Sequence, residues 1–287
     1  MNAVDEASPG PLAVVCGGGS LPFAVADAVL TGGRQVVLFG IDGVTDATRL
    51  EAYPHHWFKL AQAGRLFSLM RKHGCREIVF IGAVTRPPFW RVRFDLTAIR
   101  LLPALLSAYR GGDNHLLQRG AAVFERHGFR VVGAHEVAPQ ILLPEGHLTR
   151  HAPSAADLED VARGVALLHA MGPFDVGQAV VVADRHIVAV EGIEGTDEML
   201  ARVADLRRRG RFHASEGRGV LVKAPKPGQD RRLDLPAIGP KTVEAVAAAG
   251  LAGVVAMARE TIVADLQATV AAADRFGLFV SGVKDAS

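Results

Sequence analysis

Side chains with chemical potential are densest in one stretch, Lys223-Ala224-Pro225-Lys226-Pro227-Gly228-Gln229-Asp230-Arg231-Arg232-Leu233-Asp234-Leu235-Pro236. Lys223 and Lys226 bring positive charge suited to a pyrophosphate. Asp230 and Asp234 bring hard oxygen donors of the kind a magnesium–phosphate site uses. An aspartate held there can also orient an attacking water. Pro225, Pro227, Pro236 and Gly228 make the stretch stiff and non-helical, which an ordinary solvated loop rarely needs.

At the other end of the chain, Gly17-Gly18-Gly19-Ser20-Leu21-Pro22 follows an apolar run and opens a helical pattern. A glycine-rich turn lets backbone N–H groups approach a phosphate, and a helix N-terminus favours the negative charge. The dinucleotide fingerprint is only partly met, because Pro22 stands where its third glycine belongs, and no Gly-Lys-Ser/Thr follows as in a P-loop. A ligand-free strand-to-helix turn is the alternative. A second loop, Gly82-Ala83-Val84-Thr85-Arg86-Pro87, is expected at the same sheet edge, with Thr85 and Arg86 facing an anion or Arg86 simply packing its stem. Asp113 and Asn114 after Gly111-Gly112 offer polar groups to a sugar or base, or cap a helix. Farther along, Asp175-Val176-Gly177-Gln178 and Glu191-Gly192-Ile193-Glu194-Gly195-Thr196-Asp197 bring carboxylates to glycine turns. Thr196 and Asp197 read as the N-cap and first turn of a helix. Glu191 and Glu194, with Gln178, suit a sugar or metal grip, with solvated surface acids as the alternative.

These loops need a scaffold. Buried strands are expected at 12–16, 35–41, 77–82 and 129–133, with helices at 22–30, 65–73, 96–109 and 115–127 between them. Such alternation implies right-handed crossovers and a mostly parallel, Rossmann-like sheet. Residues 134–149 carry Pro139, Pro144 and Gly146 without a helical period and read as a linker. Beyond it, Ser154 with Asp157 starts a helix to 171. A hairpin follows at 178–183 and 187–191, then a helix from Thr196 to 209 and a strand at 219–223. The remainder is a helix at 241–249, strands at 253–258 and 261–264, a helix at 266–275 and a terminal strand. The expectation is two α/β domains, 1–133 and 150–287. The first is mostly parallel with flanking helices and holds substrate; the second is mixed and catalytic, with the substrate site between them.

Composition narrows the classes. With 287 residues, 49% apolar and 22% charged, the chain can bury two cores. A net charge of +2 argues against nucleic acid as partner. The two cysteines, Cys16 and Cys75, fall in or beside apolar runs and read as free thiols of a reducing compartment. No signal peptide is seen, and the longest apolar run, 245–258, is broken by Gly250 and Gly253. A cytoplasmic protein is expected.

Five segments, in order and over nearly the whole chain, carry a family resemblance: GGGSLP at 17–22, GDN at 112–114, DVGQAVVV at 175–182, EGIEGTDEML at 191–200 and KPGQDRRLDLP at 226–236. In these the sequence resembles the UDP-2,3-diacylglucosamine pyrophosphatases of the LpxI type. The resemblance implies hydrolysis of the pyrophosphate of UDP-2,3-diacylglucosamine to UMP and 2,3-diacylglucosamine 1-phosphate in the lipid A pathway, with Mg²⁺ (or Mn²⁺) as cofactor. By the same carry-over Asp230 is the main catalytic carboxylate, holding the metal ion together with Asp234 or polarising water. Gln229 supports it, and Lys223 and Lys226 steady the diphosphate. Gly17, Gly18, Gly19, Ser20, Leu21, Gly82 and Asp113 hold substrate. A lipid-linked UDP-sugar as partner implies peripheral contact with the cytoplasmic face of the inner membrane; a homodimer is left open. A nicotinamide-linked oxidoreductase, suggested by the glycine turn and Asp42, and a non-catalytic nucleotide-sugar sensor stand as alternatives.

Overall fold

A computed structural model describes residues 10–59, 62–84, 113–212, 214 and 217–284. The chain divides into two compact units. One is Met1–Gln140 with Asp230–Asp234, and the other is Ile141–Gln229 with Leu235–Ser287.

The first unit runs β1 (Leu12–Cys16), α1 (Leu21–Thr31), β2 (Val36–Ile41), α2 (Ala47–Leu50), β3 (His55–Phe58), α3 (Ala63–Lys72), β4 (Glu77–Ile81), α4 (Asp113–Arg126), β5 (Arg130–Val131) and α5 (Ala134–Val137). Its five strands lie in the order β3-β2-β1-β4-β5, and every pairing is parallel. That is the doubly wound pattern expected from strands alternating with helices. β1 and β2 are buried along their whole length, so they read as continuous apolar runs. The turn after β2 carries Asp42 into α2 and the short strand β3, two elements not anticipated. β3 escaped because its His-His-Trp-Phe sequence has no alternation to betray it. The helix expected at 96–109 lies outside the described residues.

The second unit runs β6 (Gly146–His147), α6 (Ala155–Met171), β7 (Ala179–Ala183), β8 (His186–Val190), α7 (Gly195–Arg208), β9 (Val220–Lys223), β10 (Ala237–Ile238), α8 (Pro240–Ala248), β11 (Gly253–Met257), β12 (Ile262–Val263), α9 (Leu266–Phe276) and β13 (Phe279–Val283). Six strands form a mixed sheet, β6-β13-β11-β9-β7-β8, and β10 pairs with β12 apart from it. β9, β11 and β13 are parallel; the β7–β8 hairpin and β6 are antiparallel. The Ser154 capping box forms as expected, with the Ser154 hydroxyl accepting from the Asp157 N–H. The segment read as a structureless linker contains α5, a 3₁₀ turn at Pro139–Ile141 and β6. Its prolines and glycine mask elements of two to four residues, too short to show a period. Among the described residues no helix is long and apolar enough to cross a membrane.

Candidate functional site

The glycine turn after β1 is shaped first by the backbone beside it. The Gly17 N–H donates to the Ile81 carbonyl at 2.8 Å, and the Gly18 N–H donates to the Ala83 carbonyl at 2.7 Å. The Ala83 N–H returns a bond to the Gly18 carbonyl at 3.0 Å. A Cβ on Gly17 would sit 2.6 Å from the Gly82 carbonyl, so only glycine lets the two loops meet. Gly82 itself has φ +100°, a left-handed conformation that favours glycine. Two of the N–H groups expected to face a phosphate are thus spent on stitching the loops after β1 and β4. What remains open to an anion is the start of α1: Gly19 and Ser20 are exposed, and Ser20 occupies the N-cap without a side-chain capping bond. The first N–H groups of a helix have no intrahelical partner. Thr85 and Arg86 lie outside the described residues. Asp113 and Asn114 open α4; their side chains also lie outside them.

Asp230 belongs to this first unit, although the chain on both sides of Asp230–Asp234 belongs to the second. Arg232 grips its carboxylate. The Arg232 Nε–H donates to Oδ1 at 3.0 Å, Nη2 donates to Oδ2 at 2.8 Å, and the Arg232 backbone N–H adds a third bond to Oδ1 at 3.0 Å. Nη1 of the same guanidinium donates to Glu125 Oε1 on α4 at 2.8 Å. The fork of bonds from Arg232 holds the Asp230 carboxyl below its ordinary value, against the opposing push of partial burial. The backbone N–H groups of Leu233 and Asp234 both donate to the Asp230 carbonyl, closing a tight turn. Leu233 packs against the apolar core of the unit. Gly133 lets this turn approach, since a Cβ there would lie 3.0 Å from Cα of Arg232 and closer still to the His135 ring.

The second unit builds a different cluster. Lys223 ends β9 and is only 6% exposed. Its Nζ donates to Thr196 Oγ1 at 2.9 Å and to the Ala237 carbonyl at 3.1 Å. The Thr196 hydroxyl donates onward to Glu191 Oε1 at 2.7 Å, and Glu191 Oε2 accepts from the Gln178 N–H at 2.7 Å. An ammonium, a hydroxyl and a carboxylate therefore form one directed chain. Thr196 is not the helix N-cap that was expected; Glu194 takes that position, and Thr196 lies one residue inside α7. Its hydroxyl is drawn away from capping by the stronger charged partners on either side. Asp197 sits in the first turn of α7, as expected. Glu194 pairs with Arg202 at 2.8 Å rather than joining Glu191. Lys226 pairs with Asp175, and the Gln229 side-chain oxygen accepts from the Lys226 N–H at 3.0 Å, folding the loop on itself.

The fit of a divalent cation can be judged from these donors. Among the described residues no group of three or more His, Cys, Asp or Glu side chains could hold a metal ion. Both oxygens of Asp230 are occupied by Arg232. A cation at Asp230 would share the carboxylate with that guanidinium, since a carboxylate offers about four acceptor sites.

Comparison with known proteins decides the family. The model of the LpxI N-terminal domain matches residues 11–141, and that of the LpxI C-terminal domain matches residues 144–281. The chain belongs to the LpxI family. It is 40% identical over 272 residues to the UDP-2,3-diacylglucosamine pyrophosphatase LpxI of Caulobacter vibrioides, covering 95% of this chain and 97% of that protein. Two solved structures are far more distant. One is the biotin carboxylase domain of the 2-oxoglutarate carboxylase of Hydrogenobacter thermophilus, at 13% identity and TM-score 0.27, covering 75% of this chain and 44% of that one. The other is UDP-glucose-4-epimerase from Stenotrophomonas maltophila, at 14% identity and TM-score 0.27, covering 68% of this chain and 62% of that one. Similarity this low carries no argument. Within the LpxI chain, the site residues expected from sequence fall into two groups: Gly17, Gly18, Gly19, Ser20, Leu21, Gly82, Thr85, Arg86, Asp113, Asn114, Asp230 and Asp234 in the first unit, and Lys223, Lys226, Gln229, Gln178, Glu191, Glu194, Thr196 and Asp197 in the second. Sequence reasoning passed over Glu125 and Asp175 as partners. Both make contacts distant in sequence, for which spacing offers no signal. It also passed over Arg232, although the D-x-R spacing that lets one arginine fold back on an aspartate was visible.

Proposed function

We propose that the chain hydrolyses the pyrophosphate bond of UDP-2,3-diacylglucosamine to UMP and 2,3-diacylglucosamine 1-phosphate in lipid A biosynthesis, with Mg²⁺ or Mn²⁺ required for turnover. What supports this most is the 40% identity, over nearly the full length of both chains, to a UDP-2,3-diacylglucosamine pyrophosphatase. Asp230 is the general base in this proposal. An aspartate carboxylate is ionised at neutral pH, so it can take a proton from water as the water oxygen bonds to phosphorus and the anhydride P–O bond breaks. Positioning and charge neutralisation supply most of the catalysis in phosphoryl chemistry. In the second unit, positive charge is carried by Lys226, paired with Asp175, and by the buried Lys223. The start of α1 at Gly19, Ser20 and Leu21 receives a phosphate of the UDP group. Peripheral contact with the cytoplasmic face of the inner membrane belongs to the same proposal, since the substrate is a lipid.

The test is direct. The purified protein with UDP-2,3-diacylglucosamine and Mg²⁺ is expected to release UMP, and chelation with EDTA is expected to stop it. Tight binding of the UDP-sugar without UMP in either Mg²⁺ or Mn²⁺ would overturn the hydrolase reading in favour of a sensor. Co-sedimentation with substrate-containing vesicles at low salt tests the membrane contact; a protein left wholly in the supernatant removes it.

A further inference from the structure

Arg232 was not among the residues expected to carry chemistry, yet its surroundings divide it sharply in two. Its backbone is fixed: the N–H is bonded to Asp230 Oδ1, Cα lies over Gly133, and the next residue, Leu233, is packed on the core. Its head is not fixed in the same way. The side chain is 39% exposed, and among the described residues it is held by two carboxylates, Asp230 through Nε and Nη2 and Glu125 through Nη1. The Asp230 carboxylate is 18% and the Glu125 carboxylate 43% exposed, so the guanidinium lies where another anion can reach it. A guanidinium fork matches a phosphate as well as it matches a carboxylate. An arginine anchored at its root, with its head resting on two surface acids, is built to trade those acids for a better anion.

We propose that Arg232 is a diphosphate-binding residue, parked on Asp230 and Glu125 until substrate arrives. This inference rests on the hydrolase reading above and deepens it. On binding, the guanidinium moves to non-bridging oxygens of the pyrophosphate and both Asp230 oxygens are released. No covalent bond forms or breaks in the exchange. The diphosphate itself thereby unmasks the carboxylate, so Asp230 is sheltered from stray cations while the site lacks substrate and is freed when a phosphoanhydride is in place.

The experiment measures binding of UDP by calorimetry in EDTA, so that neither turnover nor metal contributes, for the full chain and three variants: Arg232→Gln, Glu125→Gln and the two combined. Arg232→Gln is expected to weaken UDP at least about tenfold, the scale of a lost charge-assisted fork. Glu125→Gln, which removes part of the resting place and touches no substrate, is expected to tighten UDP about two- to fivefold. That gain should vanish in the Arg232→Gln background, as a double-mutant cycle requires of coupled groups. Arg232→Lys keeps the charge but not the fork and should recover only part of the loss. A purely structural Arg232 predicts the opposite pattern. UDP binding within twofold of the parent in Arg232→Gln with an unchanged melting temperature would overturn the proposal. So would a Glu125→Gln gain that survives without Arg232. If Arg232→Gln does not fold, Glu125→Gln measured against Arg232→Lys decides the same question. UDP binding needs no turnover, so a protein that binds UDP through Arg232 but releases no UMP would sink the hydrolase reading and leave this one standing.

Discussion

The Asp230 cluster of the first unit and the Lys223 cluster of the second each join a cation to an acid, but they solve the problem in opposite ways. Arg232 meets Asp230 directly, through two parallel bonds, with its side chain 39% exposed. Lys223 is buried and is linked to Glu191 through the Thr196 hydroxyl. The direct pair lies nearer water than the relay, its guanidinium within reach of another anion. The buried relay is costly to break, because removing one member leaves charge uncompensated away from water. The contrast assigns mobility to the first cluster and rigidity to the second, and it can be tested at several strengths.

The largest effect is expected at Asp230. Asp230→Asn should lower UMP release by about 10²- to 10⁴-fold, the range for loss of a general base, while circular dichroism stays that of the parent. Near-parental turnover would remove Asp230 from the chemistry. Next comes the buried cation. Lys223→Met should cost about 3 kcal/mol in a urea melt, toward the lower end for breaking a buried pair, whereas Arg232→Gln should cost less than about 1 kcal/mol. Equal costs would erase the distinction between the clusters. Smaller again is the bridge itself. Thr196→Val keeps shape but removes the hydroxyl and should cost about 1–2 kcal/mol, with Thr196→Ser restoring most of it. Smallest is a pH effect. The depressed Asp230 carboxyl stabilises the fold at pH values above the unfolded aspartate value of about 3.9 and loses that contribution as pH falls through its lower folded value. Melting temperatures between about pH 5 and 2 should therefore fall less steeply in Arg232→Gln than in the parent. Identical slopes would mean that the pair carries no weight in solution.

Much of the scaffold was legible because it obeys simple periodicities. Apolar runs such as 12–16 and 36–41 have no ready place except inside a parallel sheet, and the Ser154–Asp157 spacing marks a helix start unaided. Burial also explains the two thiols. It pushes Cys16 up to about 12 and Cys75 up to about 11, so both stay protonated and free near neutral pH. The site was legible in its residue types and illegible in its pairings. Thr196 looked like a cap because local sequence favours that role, and only the tertiary placement of Lys223 shows why it is not one. The Gly17–Gly18 turn looked like a phosphate cradle because sequence cannot reveal that a neighbouring loop has claimed its N–H groups. Arg232 went unnoticed since an arginine among charged neighbours carries no pattern until its stem is seen to be anchored and its head is not.

The five residues Asp230–Asp234 have a consequence for anyone who would cut this gene in two. The LpxI domain boundary falls between residues 141 and 144, yet the piece that folds with the N-terminal sheet includes a clip encoded far downstream, at 230–234. A fragment ending at that boundary would carry the doubly wound sheet without Leu233 on its core and without the turn that its glycine at 133 makes room for. Here the modules of inheritance and the modules of packing are not the same objects. A complementation experiment with separated halves would have to supply the clip in trans, or graft it onto the end of the first half, before either half could be judged inactive on its own account.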